Sequence, residues 1–157
     1  MGADAGIEGS AAMTKIVLAA LVAAMLSLFA DRGRADDAAI GETDRGAIRA
    51  VIESQLAAFR RDDGAAAFAF ASPTIQRMFL NPDVFMEMVR AGYRPVYRPR
   101  EVEFRELVTE GGEPVQRVFL IGPDGAPAMA LYFMQRQPDG TWRINGCILA
   151  KAPDESV

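Results

Sequence analysis

Tyr93-Arg94-Pro95-Val96-Tyr97-Arg98-Pro99-Arg100 is a tandem Tyr-Arg-Pro repeat, and the hydrophobic periodicity of the chain changes across it. Each proline fixes its own φ and disfavours the α region for the residue before it. The segment therefore reads as an extended connector, with Arg94 and Arg98 held out of helix. It carries two aromatic rings, three guanidinium groups and no acidic side chain.

Upstream of the connector the apolar residues recur at helical spacing. Ile48, Val51, Ile52, Leu56 and Phe59 predict one amphipathic helix over about 45–61, capped by Asp44 or Thr43. Arg49 and Glu53 fall on its outer side, four apart. Asp62-Asp63-Gly64 stops this helix and caps the next, and Ala65–Ala71 with Phe68 and Phe70 reads as a short buried helix. Ser72-Pro73 and Asn81-Pro82 each pair a capping residue with a proline suited to the first helical turn. Val84, Phe85, Met88 and Val89 form the apolar stripe of the last of these helices, which Gly92 ends.

Downstream, four strand-like runs follow: Glu101–Thr109, Val115–Ile121, Ala128–Gln137 and Thr141–Ala150. They are separated by Gly111-Gly112, Pro123-Asp124-Gly125 and Pro138-Asp139-Gly140, which are turn signals. Connections this short make neighbouring strands antiparallel. In the first run Val102, Phe104 and Val108 share a side. In the third, Met129, Leu131 and Phe133 oppose Tyr132 and Met134. Both faces of the later strands are apolar, so one face takes the helices and the other needs a cover, a partner or a ligand. Helices first and a meander after is an α+β arrangement. The expected fold is N-terminal helices on a curved four-stranded antiparallel meander, a cone with a pocket at its open end.

The amino terminus reads as an address. Residues 1–12 are small and slightly acidic, and Met13-Thr14-Lys15 then precedes Ile16–Ala30, a run of 15 residues with only Ser27 polar. That run fits the core of a signal peptide and is short for a membrane span, which needs about 20 residues. Gly33-Arg34-Ala35 supplies small residues for cleavage after Ala35. The expected organisation is an extension and signal peptide over 1–35 with a start at Met13, a linker over 36–43, one α+β domain over 44–151 and a tail over 152–157. The protein is then periplasmic or secreted, or, in the alternative, anchored through uncleaved residues 16–30, its sole contact with a membrane.

Composition narrows the chemistry. The 17 basic and 21 acidic side chains give a net charge of −4, which argues against nucleic acid as a partner. The chain has no histidine, so the commonest general base and metal ligand are missing. A single cysteine, Cys147, forms no internal disulfide and no multi-cysteine metal site. No metal site and no cofactor is expected. Asp62 and Asp63 read as helix-stop residues, Asp124 and Asp139 as turn residues and Glu53 as a solvated one. None stands at an apolar position where its pKa would rise for acid–base work.

Three motifs carry a resemblance over residues 44–150: Ala67-x-x-Phe70-Ala71-Ser72-Pro73-x-Ile75-Gln76-Arg77-Met78-Phe79, Gly92–Arg100, and Gln137–Cys147. They resemble the bacterial family known as domain of unknown function 4864. The order of elements is also similar to the cystatin-like cone of nuclear-transport-factor-type domains. That cone hosts isomerases, dehydratases, cyclases and many non-catalytic modules, so the likeness implies a pocket and no particular reaction.

Tyr93, Arg94, Tyr97, Arg98 and Arg100 are the candidate ligand-binding residues, since guanidinium groups hold anions and tyrosine rings stack. Arg143 and Asn145, on the last strand, are added to them. The competing structural reading is a rigid crossover whose arginines pair with Glu101, Glu103 and Glu106. Gln55 and Gln76 are further polar candidates. Cys147 reads as a buried, inert thiol, or as one that pairs with a second chain. The expected function is an exported, non-catalytic module that binds a small molecule or a partner at the cone mouth. The alternatives are a small isomerase, dehydratase or cyclase, and a homodimeric assembly protein built on the free sheet face.

Overall fold

The computed structural model describes residues 40–152. The expected signal segment, its cleavage point and the last residues of the tail lie outside that range. Within it the order is five helices and then four strands: α1 (Glu42–Arg60), α2 (Gly64–Ala69), α3 (Pro73–Phe79), α4 (Pro82–Gly92), α5 (Arg94–Tyr97), β1 (Glu101–Glu110), β2 (Glu113–Ile121), β3 (Pro127–Arg136) and β4 (Trp142–Lys151). The strands form one antiparallel sheet in the order β1-β2-β3-β4. This is the α+β meander that the periodicity predicts. No described helix is long and apolar enough to cross a membrane.

Helix α1 buries Ile48, Ile52, Leu56 and Phe59 of the predicted stripe, together with Gln55 and Ala58, and leaves Val51 half-buried. It starts at Glu42 with Gly41 as cap, not at Asp44. Asp44 has better partners elsewhere. Its carboxylate accepts from Trp142 Nε1 at 3.1 Å and from Arg136 Nη1 at 3.3 Å, which ties the start of α1 to the sheet. Glu42 and Asp44 still sit in the first turn, where negative charge suits the helix dipole.

The local punctuation follows the sequence closely. Asp63 accepts from Ala66 N at 3.0 Å, Ser72 from Ile75 N at 3.3 Å, and Asn81 from Val84 N at 3.0 Å, capping α2, α3 and α4. Helix α2 is less buried than expected: only Ala67 is fully covered, while Phe68 and Phe70 are half-buried. Phe85 of α4 is the aromatic centre of the helical layer. The rings of Phe59, Phe68 and Phe79 lie 6.2, 5.3 and 5.6 Å from it. Between α3 and α4, Leu80 adopts φ 67 and ψ −38. Asn81 N donates to Phe79 O across it at 2.8 Å, a γ-turn of the rare positive-φ kind.

The Tyr-Arg-Pro connector is extended only in part. Arg98, with φ −137 and ψ 65, obeys the restriction from Pro99. Arg94 does not: Arg94–Tyr97 closes a helical turn, with Tyr97 N donating to Tyr93 O at 2.9 Å and Arg98 N to Arg94 O at 3.0 Å. Pro95 falls in the first turn, where the missing N–H would have had no intrahelical partner.

In the sheet, Val118, Leu120, Ala130, Tyr132, Met134, Trp142 and Ile144 face the helices and complete the core. Two irregularities redirect side chains. One falls between Phe104 and Leu107 of β1, so Leu107, not Val108, packs with Val102 and Phe104 against the core. Buried Gln116 steadies it, donating to Arg105 O at 2.8 Å. The other falls at Asn145 of β4, where the pairing with β3 slips between Phe133 and Met134. Gly111 and Gly112 form the β1–β2 turn with φ 59 and 84, a pair that favours glycine at both positions. No described helix lies on the other sheet face, which carries Phe119, Met129, Leu131, Phe133 and Ile148.

Candidate functional site

A cavity of about 330 Å³ lies between the helices and the end of the sheet formed by β3 and β4. Helix α1 contributes Gln55 and Phe59, α3 contributes Ile75, Met78 and Phe79, and α4 contributes Phe85, Met88 and Val89. Tyr93 and Val96 close the wall at α5, and Tyr132, Ile144, Gly146 and Cys147 form the sheet side. The helices are amphipathic because their apolar stripes must meet this sheet. The irregularity at Asn145 then turns Cys147 and Leu149 onto the core face.

Every described residue in the wall is uncharged. Its polar groups are few. Gln55 donates to Ala67 O at 3.1 Å, and Tyr93 Oη donates to Cys147 O at 2.9 Å. Tyr132 is fully buried and its hydroxyl has no hydrogen-bond partner among the described residues. Burial pushes the Cys147 thiol up to about 12. Burial, and secondarily the neighbouring Cys147, also raises both tyrosines above their ordinary range, Tyr132 well above it. At neutral pH the wall therefore offers neither a thiolate nor a phenolate. No group of three His, Cys, Asp or Glu among the described residues is placed to hold a metal.

A raised thiol pKa has a measurable sign. The folded state keeps its proton from the ordinary thiol value of 9.0 up to about 12, while the unfolded chain gives it up. Stability present below pH 9.0 is then lost progressively towards pH 12. Urea midpoints between pH 8 and 11 are expected to fall less steeply in Cys147→Ala than in the natural chain, by about the share of one ionising group. Alkylation of Cys147 by iodoacetamide at pH 7.5 is expected to be slow until urea is added.

Of the seven predicted site residues only Tyr93 lines the cavity. Tyr97 and Arg98 converge instead on Asp62, just past the end of α1. Tyr97 Oη donates to Asp62 Oδ1, Arg98 Nη2 lies 2.7 Å from Asp62 Oδ2, and Arg90 Nη2 lies 3.6 Å from Asp62 Oδ1. Arg98 also stacks over the Tyr97 ring at 4.0 Å and donates to Phe59 O. The acid that Arg98 meets is Asp62, not the Glu101, Glu103 or Glu106 of the crossover reading. Glu103 and Glu106 pair with Arg105 and Arg117, not with the connector. Arg94 and Arg100 are exposed. Arg143 donates to Ala69 O, and Asn145 Oδ1 accepts from Ser72 Oγ at 2.8 Å, so both fasten β4 to the helical segment rather than reach the cavity. Gln76 likewise serves the backbone, donating to Phe68 O and Ala71 O at 3.1 Å. The residues that do wall the cavity are mostly apolar; those on α3, at Tyr93 and Val96 and on β4 fall within the three motifs, but, Tyr93 apart, as apolar positions they give no chemical signal. Alternation places Tyr132 on a definite face, but its missing partner is a tertiary fact.

The hydrogen bond from Tyr97 lowers the Asp62 pKa, opposed by desolvation and aided by Arg98 and Arg90. A lowered carboxylate contributes stability above its ordinary 3.8 that is lost as pH falls through the folded value. Asp62→Asn tests this without disturbing the backbone, since asparagine tolerates the φ of 56 found there. Its melting temperature is expected to lie below that of the natural chain at pH 7 and to converge with it towards pH 3.

Fold and cavity together define an α+β protein with a neutral chamber between its two layers. The chain belongs to the family described as Domain of unknown function (DUF4864), whose model matches residues 41–157. That match embraces the stretch over which the three motifs resemble the family. No curated protein and no solved structure matches the chain.

Proposed function

We propose that this protein is an exported, non-catalytic module that binds one small molecule between its helices and its sheet. The observation that carries the reading is the cavity of about 330 Å³, whose size and mostly apolar wall with a few polar groups are those of small-molecule sites. The neutral, proton-retaining wall speaks against a general base or nucleophile there, and so against the isomerase, dehydratase or cyclase alternative. Export rests on Lys15, the apolar run 16–30 and the small residues at Gly33 and Ala35.

The test has two arms. The full chain is expressed in a two-membrane bacterial host, and mass spectrometry reads the amino terminus of the periplasmic product. A species beginning at Asp36 supports export, and an intact cytoplasmic chain removes it. The purified protein is then screened by thermal shift against neutral aromatic and aliphatic compounds. A concentration-dependent rise in melting temperature, abolished by Met88→Trp, is expected. No rise with any compound would end the binding reading.

The uncovered sheet face supports a second reading, a homodimer packed sheet on sheet. Phe119 pairs across strands with Met129, and Leu131 with Ile148, which is 53% exposed, so the apolar surface is continuous. Sedimentation velocity across a hundredfold range of concentration is expected to show the dimer, and Ile148→Asp to return it to monomer. A natural chain that stays monomeric throughout excludes this reading.

A further inference from the structure

We propose that the cavity selects an uncharged, predominantly apolar molecule with one acceptor oxygen, and that Tyr132 Oη donates the hydrogen bond that anchors it. The inference rests on the binding reading above and narrows it to a ligand class.

Two observations carry it. First, no charged residue among those described lines the cavity. Arg98 and Arg90 are committed elsewhere, drawn to Asp62, which is not among the lining residues. An ionised carboxylate or phosphate inside would lose its water and gain no counter-charge, which is prohibitive next to the gain from apolar burial. The anion site that three arginines in the connector lead one to expect therefore does not coincide with the cavity. Second, the wall holds a polar group without a partner. Tyr93 commits its proton to Cys147 O, and Gln55 donates to Ala67 O, whereas the fully buried Tyr132 hydroxyl donates to nothing among the described residues. Buried polar groups are nearly always paired, and an unpaired one marks a place where a partner is to be supplied. A carbonyl, ether or hydroxyl oxygen is the chemistry that meets a phenol donor. The hydroxyl is shielded from solvent, so a ligand reaches it as the wall yields. Met78 and Met88 are the unbranched, adaptable side chains that can do so.

Three probes of one shape separate the possibilities: 2-acetylnaphthalene, with one acceptor oxygen; 2-ethylnaphthalene, with none; and 2-naphthoate, with a charge. Calorimetric titration at pH 7 of the natural chain is expected to give the ketone an affinity about 3- to 10-fold above the hydrocarbon, the range of one net hydrogen bond, with no binding of the carboxylate. In Tyr132→Phe the ratio of ketone to hydrocarbon is expected to fall to about one, with the hydrocarbon unaffected. This variant lacks only an oxygen that has no partner among the described residues, and its melting curve confirms that it folds. A preference for the ketone that survives Tyr132→Phe overturns the anchor. Carboxylate binding as tight as the ketone overturns the neutral class. Equal binding of ketone and hydrocarbon to the natural chain sinks this inference while leaving the binding reading intact. Failure of all three probes, in a protein that the broad thermal-shift screen also leaves unmoved, sinks both.

Discussion

Phe85→Ala is expected to destabilise the protein by about 3–5 kcal/mol, the usual cost of truncating a buried aromatic residue. The position is unforgiving for a specific reason. Three other phenylalanines, each from a different helix or helix end, converge on this one ring at 5.3–6.2 Å. Removing the ring takes away burial and also the tilted and edge contacts, each worth about 0.5–1.5 kcal/mol beyond area. The void cannot close easily, because Phe59 belongs to α1 and is held by the sheet, while Phe68 and Phe79 sit on short helices fixed by their caps. Urea unfolding followed by Trp142 fluorescence measures the loss. A change below about 1 kcal/mol would mean that the helical layer repacks freely and that the aromatic cluster is not its centre. Phe85→Leu, which keeps much of the volume, is expected to recover more than half of the loss.

Ser72→Ala is expected to cost about 1–3 kcal/mol, from a lost helix cap and a half-buried amide oxygen left without its donor. Ser72 is fully buried and works in two directions. It accepts from Ile75 N at the start of α3 and donates to Asn145 Oδ1 on β4. Its backbone N–H also donates to Ile144 O at 2.8 Å, and Ile144 N donates to Phe70 O at 2.9 Å, so the helical segment is stitched to the last strand here. The double variant with Asn145→Ala separates the two roles. If the serine acts on Asn145, the paired change costs less than the sum of the single ones. Strict additivity would assign the whole effect to the cap.

Much of this architecture was legible in the chain because its signals are local. Asp63, Ser72 and Asn81 cap helices by chemistry that acts within three residues, and the β strands alternate as a pleat demands. What could not be read depends on pairing across the fold. The slips at Phe104–Leu107 and at Asn145 exist only once two strands are in register, and they decide that Leu107 and Cys147 face inward. Asp44 reads as a cap until Trp142 and Arg136 come within reach. Asp62 reads as a helix stop, and it is one, but its carboxylate also collects the very arginine and tyrosine that looked like a binding site. The connector was distinctive in sequence because tying it to the end of α1 takes a charge and a ring. The cavity was inconspicuous because its wall uses the same apolar residues as any core.

Helix α3 is the one described helix with no buried residue, yet three of its side chains wall the cavity. Ser72 moors it at one end. At the other, Leu80 is kept at φ 67 with its side chain 82% exposed, a conformation that stores about 1–3 kcal/mol in the backbone. Between these ends Gln76 donates to Phe68 O and Ala71 O and the Phe79 ring meets Phe85, so a helix with no fully buried residue is held by a handful of contacts. Its backbone should accordingly be the least protected of the three, with the amide hydrogens of Thr74–Phe79 exchanging ahead of those in α1 and α4.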